Sequence, residues 1–278
     1  MAQPEQGRAR AITAVVSVVS AVALAVTLVA AGFAACAVPD AATKALSGAF
    51  SDDADSPFTK DELTAAALQT KHYTIDDNDK AAEYATVAAI NAQQQLSGAA
   101  GKGAPKLPDG ALDYAGASLG EAEIAQLEAA FDAADERYVL TPDAVSHLDD
   151  VYRVVQAAKP WLLAAVIAAA VGCTAVGFRG GKRALSRVLS GAGAAVLVAF
   201  VAFGAWAAVD FDGLFAVFHS LFFAAGTWEF TWDSLLICMY PLEFWMGMGC
   251  IWLAVTVACC AACLIIGRLL RKGSTQSA

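Results

Sequence analysis

Four long apolar runs constrain this chain more than any other feature. A bilayer core about 30 Å thick takes about 20 consecutive apolar residues to cross as a helix, and residues 11–38, 160–178, 188–209 and 244–266 each supply such a stretch. In lipid the run must be helical, because only then is every backbone N–H and C=O satisfied within the segment. The fourth run belongs to a longer one from Leu235 to Gly267, interrupted by Pro241 and Glu243. Its helix is expected from Phe244 to Ile266, with Leu235 to Pro241 as the entry. Hydrophobic residues are 58% of the chain and charged ones 16%, against about 45–50% and 25% in soluble domains, which excludes an ordinary soluble globule. The expected fold class is an all-α integral membrane protein, a four-helix transmembrane bundle with an extracytoplasmic, mainly helical cap domain.

The short connections set the orientation. Arg8 and Arg10 precede the first run, Arg179, Lys182, Arg183 and Arg187 lie between the second and third, and Arg268, Arg271 and Lys272 follow the fourth. Glu5 is the one acid that shares their side. Bases of this kind stay cytoplasmic, so residues 1–10, 179–187 and 267–278 are expected inside. The connection 210–243 carries five acids and no base, as an outer loop does. Residues 39–159, with 21 acids and 9 bases, form the expected outer cap. A net charge of −9 leaves no basic face for phosphate contacts and excludes nucleic acid as a partner.

Phe33-Ala-Ala-Cys36 hints at a lipoprotein cleavage site, but the apolar run is too long for a signal-peptide core, and a retained anchor is the expectation. All seven cysteines lie in or beside apolar runs, so the cap is not held by disulfides. Cys259, Cys260 and Cys263 lack His or carboxylate neighbours in their span and read as small helix-packing residues; no metal or other cofactor is expected.

Within the cap, Thr59 with Glu62 makes a capping box that opens a helix toward Thr70, and Asp77 to Asp79 introduce a second ending near Leu96. Residues 97–120 are rich in Gly, Ala and Pro and read as a flexible insertion. Ser118 with Glu121 predicts another helix, to about Arg137, followed by a short extended segment, Tyr138 to Thr141. Thr141 as N-cap, Pro142 at the first helical position and Asp143 near the positive dipole end then start the helix leading into the second run. His147 shares one face with Ala144, Leu148, Val151 and Val155, and either Asp143 or Asp150 is spaced to hold its ring.

Two motif matches fail on context. Gly116-Ala-Ser118-Leu-Gly120 fits a nucleophile elbow, yet it lies in a glycine-rich linker with no strand before it, so Ser118 reads as a helix cap. His72 and Asp77 have acyltransferase-motif spacing without a partner motif, and His72 reads as a solvated loop histidine. The stretch from Phe211 to Trp245 is different, holding 11 of the chain's 26 aromatic residues. Phe211, Phe215, Phe218 and Phe222 follow helical spacing, as in a segment lying along the outer membrane interface. Among them sits His219, an imidazole that is costly near lipid without a partner. Of the three histidines, His147 and His219 both fall just outside spans on the same side, where the two can meet.

At these residues the chain resembles the Lit-type lipoprotein intramolecular transacylases, small integral membrane proteins of Gram-positive bacteria. The resemblance lies in Tyr138 to Val151, around His147, and in Phe211 to Trp245, which holds His219, Trp228, Asp233, Tyr240 and Pro241. It implies transfer of the sn-2 acyl chain of an S-diacylglyceryl lipoprotein to the α-amine of its N-terminal cysteine, giving the lyso form. The family's two functional histidines would map onto His147 and His219. Beside them, the residues themselves offer Asp150, Asp143, Tyr240 and Asp233 as supporting groups and Phe215, Phe218, Phe222, Phe223 and Trp228 as a cradle for acyl chains. Diacylated lipoproteins and membrane lipid are the implied partners.

The residues suit that chemistry on their own terms. An α-amine with pKa about 7.7–8.0 must lose a proton before attacking an ester, and a histidine near about 6.5 is a suitable base. The second imidazole can steady the oxyanion or protonate the departing oxygen; spacing leaves open which ring does which. A non-catalytic membrane scaffold or lipoprotein-binding accessory is the competing reading. A transporter is weakened by the lack of acids and bases within the first three spans.

Overall fold

The computed structural model describes residues 3–273, with side chains from Ala11 onward. Residues 1–2 and 274–278 of the expected cytoplasmic ends, and the side chains of Arg8 and Arg10, lie outside that set. The described residues contain helices and no strand: α1 (Gln3–Ala37), α2 (Asp40–Phe50), α3 (Lys60–Ile75), α4 (Lys80–Ser97), α5 (Glu121–Asp132), α6 (Pro142–Val209), α7 (Phe211–Ser220), α8 (Leu235–Met239) and α9 (Leu242–Gly273), with a single 3₁₀ turn at Ala111–Tyr114. They divide into two compact units.

The first unit takes residues up to Ala35, then Ala157–Phe215, and the chain from Cys250 onward. Among the described residues, three helical segments are long and apolar enough to cross a membrane: Ala11–Ala37, Pro142–Val209 and Leu242–Gly273, the latter two beginning in the second unit. Only 11%, 17% and 11% of their most apolar stretches is buried within the protein. Val15, Val18, Val171, Phe178, Val198 and Leu269 all face outward. Acyl chains accept such a surface and water does not, so this is a membrane protein.

The helices α1, α6 and α9 meet through small groups. Leu28, Val196 and Cys260 form a small buried cluster, consistent with a packing role for Cys260. The Trp252 indole donates to the Val29 carbonyl at 3.0 Å, and Ser186 donates to that of Gly267 at 2.6 Å. Gly32 allows the closest approach: a Cβ there would fall 2.1 Å from Thr256 Oγ1 and 2.7 Å from the Trp252 carbonyl oxygen. Side chains this small let membrane helices pack backbone to backbone.

Helix α6 departs from expectation. The sequence predicts a loop over 179–187, but helix continues through it and breaks at one residue, Gly181, with φ 70° and ψ −176°. Only glycine takes that conformation cheaply, so one residue suffices where a nine-residue loop is expected.

The second unit joins Cys36–Gln156 to Ala216–Gly249. Its helix starts follow the sequence closely. Thr59 and Glu62 form the capping box of α3, and Asp79 accepts from the Ala82 N–H to cap α4. Thr141 Oγ1 accepts from the Ala144 N–H at 3.2 Å at the start of α6.

Other expectations change. Helix α2 has no expected counterpart. The cap of α5 is Gly120, whose N–H donates to Glu123 at 2.7 Å, instead of Ser118, and α5 ends at Asp132, short of Arg137. Residues 97–120 are irregular but tied down: the Gly101 N–H donates to the Tyr138 hydroxyl at 3.0 Å and the Asp135 N–H to the Gly103 carbonyl at 2.9 Å, with Leu107 and Tyr114 packed on the core. His72 is in the last turn of α3, not in a solvated loop. Its Nδ1 lies 2.6 Å from Asp76 and its Nε2 3.3 Å from Asp40, beside Lys71, which donates to the Val38 carbonyl.

The largest revision concerns Leu235 to Pro241, expected as the entry to the last span. Instead Leu235, Leu236, Cys238 and Met239 are buried in the same core as Leu63, Leu127, Tyr138 and Leu148. Backbone bonds fasten the segment there: the Leu235 N–H donates to Glu136 and the Asp52 N–H to Cys238, each at 2.9 Å. The apolar character of this stretch serves a protein interior and not lipid.

Candidate active site

Both candidate histidines lie in the second unit. His147 is held by its helix: Thr141 caps α6, and Ala144, Val145 and Leu148 face the core, so the ring one turn along is 9% exposed. His219 is the penultimate residue of α7. Its carbonyl accepts the N–H groups of Phe222 and Phe223 at 3.0 and 2.9 Å, which ends the helix. A turn follows, with the Thr227 N–H donating to Ala224 and Gly226 at φ 81°, and it returns Trp228 to the end of α7.

This geometry brings the imidazoles together, with ring centroids 6.3 Å apart. Aromatic rings surround them. Phe223 meets His147 edge to face at 4.8 Å and lies 5.7 Å from His219. Phe230 lies 5.7 Å from His147, and Trp228 lies 4.9 Å from His219 at an interplanar angle of 31°.

Burial sets the electrostatics. Removal from water lowers the pKa of His147 from 6.5 to about 4, nearby His219 pushes the same way, and Asp150 opposes. His147 is therefore neutral at physiological pH. Its Nδ1 is buried and makes no hydrogen bond to the described residues, which leaves an unspent hydrogen-bonding capacity beside His219.

The other expected site residues separate into groups. Asp150 accepts from Arg153 at 2.7 Å and acts on His147 only through its charge. Asp143 is exposed in the first turn of α6. Asp233 acts on Arg137, and the Tyr240 hydroxyl donates to the Ala67 carbonyl within the second unit. Phe218 and Phe222 pack on each other at 5.3 Å with about half of each exposed, and Phe218 also meets His219 edge to face at 5.7 Å. Phe215 belongs to the first unit, stacked on Phe211 at 6.2 Å. Phe223 and Trp228, expected to hold acyl chains, lie against the imidazoles. Phe230 touches His147 and packs on the core of the second unit, and sequence spacing does not single it out from its aromatic neighbours.

Comparison with known proteins bears on this arrangement. Residues 125–245, which include both histidines, match the family model described as lipoprotein intramolecular transacylase Lit. No curated protein matches the chain. Three solved structures of the membrane integral lipoprotein intramolecular transacylase Lit from Bacillus cereus are similar. One, 15% identical, has a TM-score of 0.60 over 95% of this chain and 98% of its own. A second, with a histidine-to-arginine substitution, is 14% identical with a TM-score of 0.61 over 100% of both chains. A third, with a histidine-to-alanine substitution, is 15% identical with a TM-score of 0.62 over 99% of this chain and 100% of its own. Residues 125–245 match the Lit family model, and the chain shares the fold of the Bacillus cereus Lit structures.

Proposed function

We propose that this protein is a lipoprotein intramolecular transacylase, moving the sn-2 acyl chain of an S-diacylglyceryl cysteine to the α-amine of the same cysteine. The observation that carries the reading is the pair of imidazoles 6.3 Å apart in an aromatic enclosure. The family match over 125–245 supports it.

The rings divide the work by burial. A histidine whose pKa is about 4 takes a proton poorly from an amine, but a neutral imidazole donates a hydrogen bond well. His219, which is less buried, accepts the amine proton as nitrogen attacks the ester carbonyl. His147 donates to the tetrahedral oxyanion. The new C–N bond forms, the C–O bond to the glyceryl oxygen breaks, and that oxygen takes the proton back from His219. The products are an amide and an alcohol, with atoms and electrons balanced and no outside reactant. Because amine and ester share one molecule, holding them in attack geometry supplies much of the acceleration.

The setting follows the charge pattern. The helical stretches of α6 on either side of Gly181 act as separate crossings, so α1, α6 and α9 make a four-helix bundle. The bases Arg179, Lys182, Arg183, Arg187, Arg268, Arg271 and Lys272 face the cytoplasm, as do both termini, and the second unit is the extracytoplasmic cap bearing the site.

Lipopeptide mass spectrometry in a host without this activity tests the reading. Expression should convert diacylglyceryl lipoproteins to the N-acyl, S-monoacylglyceryl form, and His219→Ala and His147→Ala should each lower conversion at least about 100-fold. Conversion that survives both substitutions would refute the mechanism. No conversion by verified wild-type protein would favour a lipoprotein-binding scaffold.

A further inference from the structure

Two neighbouring carboxylates on α6 are used differently. Asp150 pairs with Arg153 of its own helix at 2.7 Å. Asp149 reaches another element: its Oδ1 accepts from the Tyr73 hydroxyl, in the last turn of α3, at 2.6 Å and from the Asn78 side-chain amide, just after α3, at 3.1 Å. Tyr73 is 2% exposed. Burial first, and the bond to Asp149 second, push its pKa up, so the hydroxyl keeps its proton and stays the donor. Asn78 has φ 56°, a left-handed conformation that asparagine takes more readily than other residues with a side chain. Glycine would fit that backbone and supply no amide.

A further bond lies along the same face. Gln156, seven residues after Asp149, donates to the Ile75 carbonyl at 3.2 Å. Seven residues fall within about 20° of two full turns and rise about 10 Å, so Asp149 and Gln156 fasten one face of α6 to the end of α3 at two points. His147 is about 200° around the helix from Asp149, on the face that meets Phe223 and Phe230. Holding one face at two points sets the rotation and height of the other. A rotation of about 10° carries a ring about 6 Å from the helix axis by about 1 Å, and a displacement of that size costs up to about 100-fold in rate. The charges that shift His147 are those of His219 and Asp150; Asp149 acts by geometry.

We propose that Asp149 is a positioning residue for the reaction: clamped to Tyr73 and Asn78, it fixes the rotation of α6 that presents the His147 ring to the substrate. This role rests on the transacylase reading and deepens it. It also separates the adjacent carboxylates by task, with Asp150 acting on His147 through its charge and Asp149 through the helix that carries the ring.

Full-length protein in lipid nanodiscs, as wild type, Asp149→Ala, Asp149→Asn and Tyr73→Phe, provides the test. kcat and KM for lipopeptide conversion are measured per folded molecule. The His147 ring is followed by NMR with labelled histidine, its signal being identified by its loss in His147→Ala. Asp149→Ala releases both donors; it should displace the His147 signal and lower kcat about 10- to 100-fold with KM nearly unchanged. Asp149→Asn keeps an acceptor oxygen and removes the charge; it should restore the signal and bring kcat to within about threefold of wild type. Tyr73→Phe removes one donor and should show the same displacement and loss in smaller measure. A wild-type His147 signal or a wild-type kcat in Asp149→Ala overturns the proposal, since a merely structural role would move neither in folded protein. An Asp149→Asn protein as slow as Asp149→Ala overturns it too, by assigning the loss to charge. If Asp149→Ala does not fold, an unmoved signal or kcat in Tyr73→Phe overturns it equally. A wild type that performs no transacylation overturns the role in the reaction, while the His147 signal still reports on the clamp, so the two failures are distinguishable.

Discussion

Glu83 offers the sharpest test of how the cap is held together. It is 1% exposed on α4; one carboxyl oxygen accepts from Thr70 at 2.5 Å, and the other is buried with no hydrogen-bond partner among the described residues. Burial pushes its pKa from 4.5 up to about 8, against a smaller opposing effect of the Thr70 hydrogen bond. The folded cap therefore holds this side chain protonated, while the unfolded chain releases the proton above its ordinary pKa. Folding stability from this group is full below pH 4.5, falls between 4.5 and about 8, and is lost above that. At about 1.4 kcal/mol per tenfold change in proton affinity, the loss is on the order of 5 kcal/mol at alkaline pH for a carboxyl displaced from 4.5 to about 8. Glu83→Gln copies the shape of the protonated acid and removes the titration. Amide hydrogen exchange of the cap, measured from pH 5 to 9 on both proteins and corrected for intrinsic exchange, should show the variant gaining several kcal/mol over wild type as pH rises and little at pH 5. Parallel curves, or a variant less stable at pH 9, would refute the argument.

Four further outcomes follow from the same structure. Gly32→Ala puts a Cβ 2.7 Å from a backbone oxygen of α9, so thermal unfolding in detergent should show a loss of about 1–3 kcal/mol or more. Thr141→Ala removes the N-cap of the helix bearing His147 and should cost about 1 kcal/mol, read by denaturant unfolding of the cap. Tyr240→Phe removes the hydroxyl that donates to Ala67; it should lower stability by about 1 kcal/mol and leave conversion within about twofold of wild type, whereas a large loss of activity at full folding would return Tyr240 to the reacting groups. His147 is held neutral, so its contribution is present above pH 6.5 and lost as pH falls toward about 4. His147→Gln should flatten acid unfolding of the cap in that window, followed by near-ultraviolet circular dichroism.

Local chemistry is legible wherever neighbours in sequence decide it. The capping box of Thr59 and Glu62, the Asp79 cap and the Thr141-Pro142 helix start each depend on atoms within a few residues, and each forms as expected. Signals that depend on who packs against whom are less legible. Leu235 to Met239 looks like membrane-bound sequence because burial in a core and immersion in lipid select the same residues. Glu83 looks like a solvated residue of an Ala-rich helix, since nothing nearby says that α3 covers it. His72 has the composition of a polar turn, and only the fold brings Asp40 to it.

The candidate site divides the same way. His147 and His219 stand out as two imidazoles beside apolar spans, and their residue context carries the resemblance. Their 6.3 Å separation, and the gathering of Phe218, Phe223, Phe230 and Trp228 around them, belong to the fold.

What the chain determines by itself is its solvent. Apolar length, the helical hydrogen bonding that lipid demands, and the basic residues beside the spans are properties of continuous segments, legible without coordinates. What the tertiary structure alone decides is charge state and neighbourhood. Whether a carboxyl at residue 83 keeps its proton, or an imidazole at residue 147 refuses one, depends on water removed by residues distant in sequence.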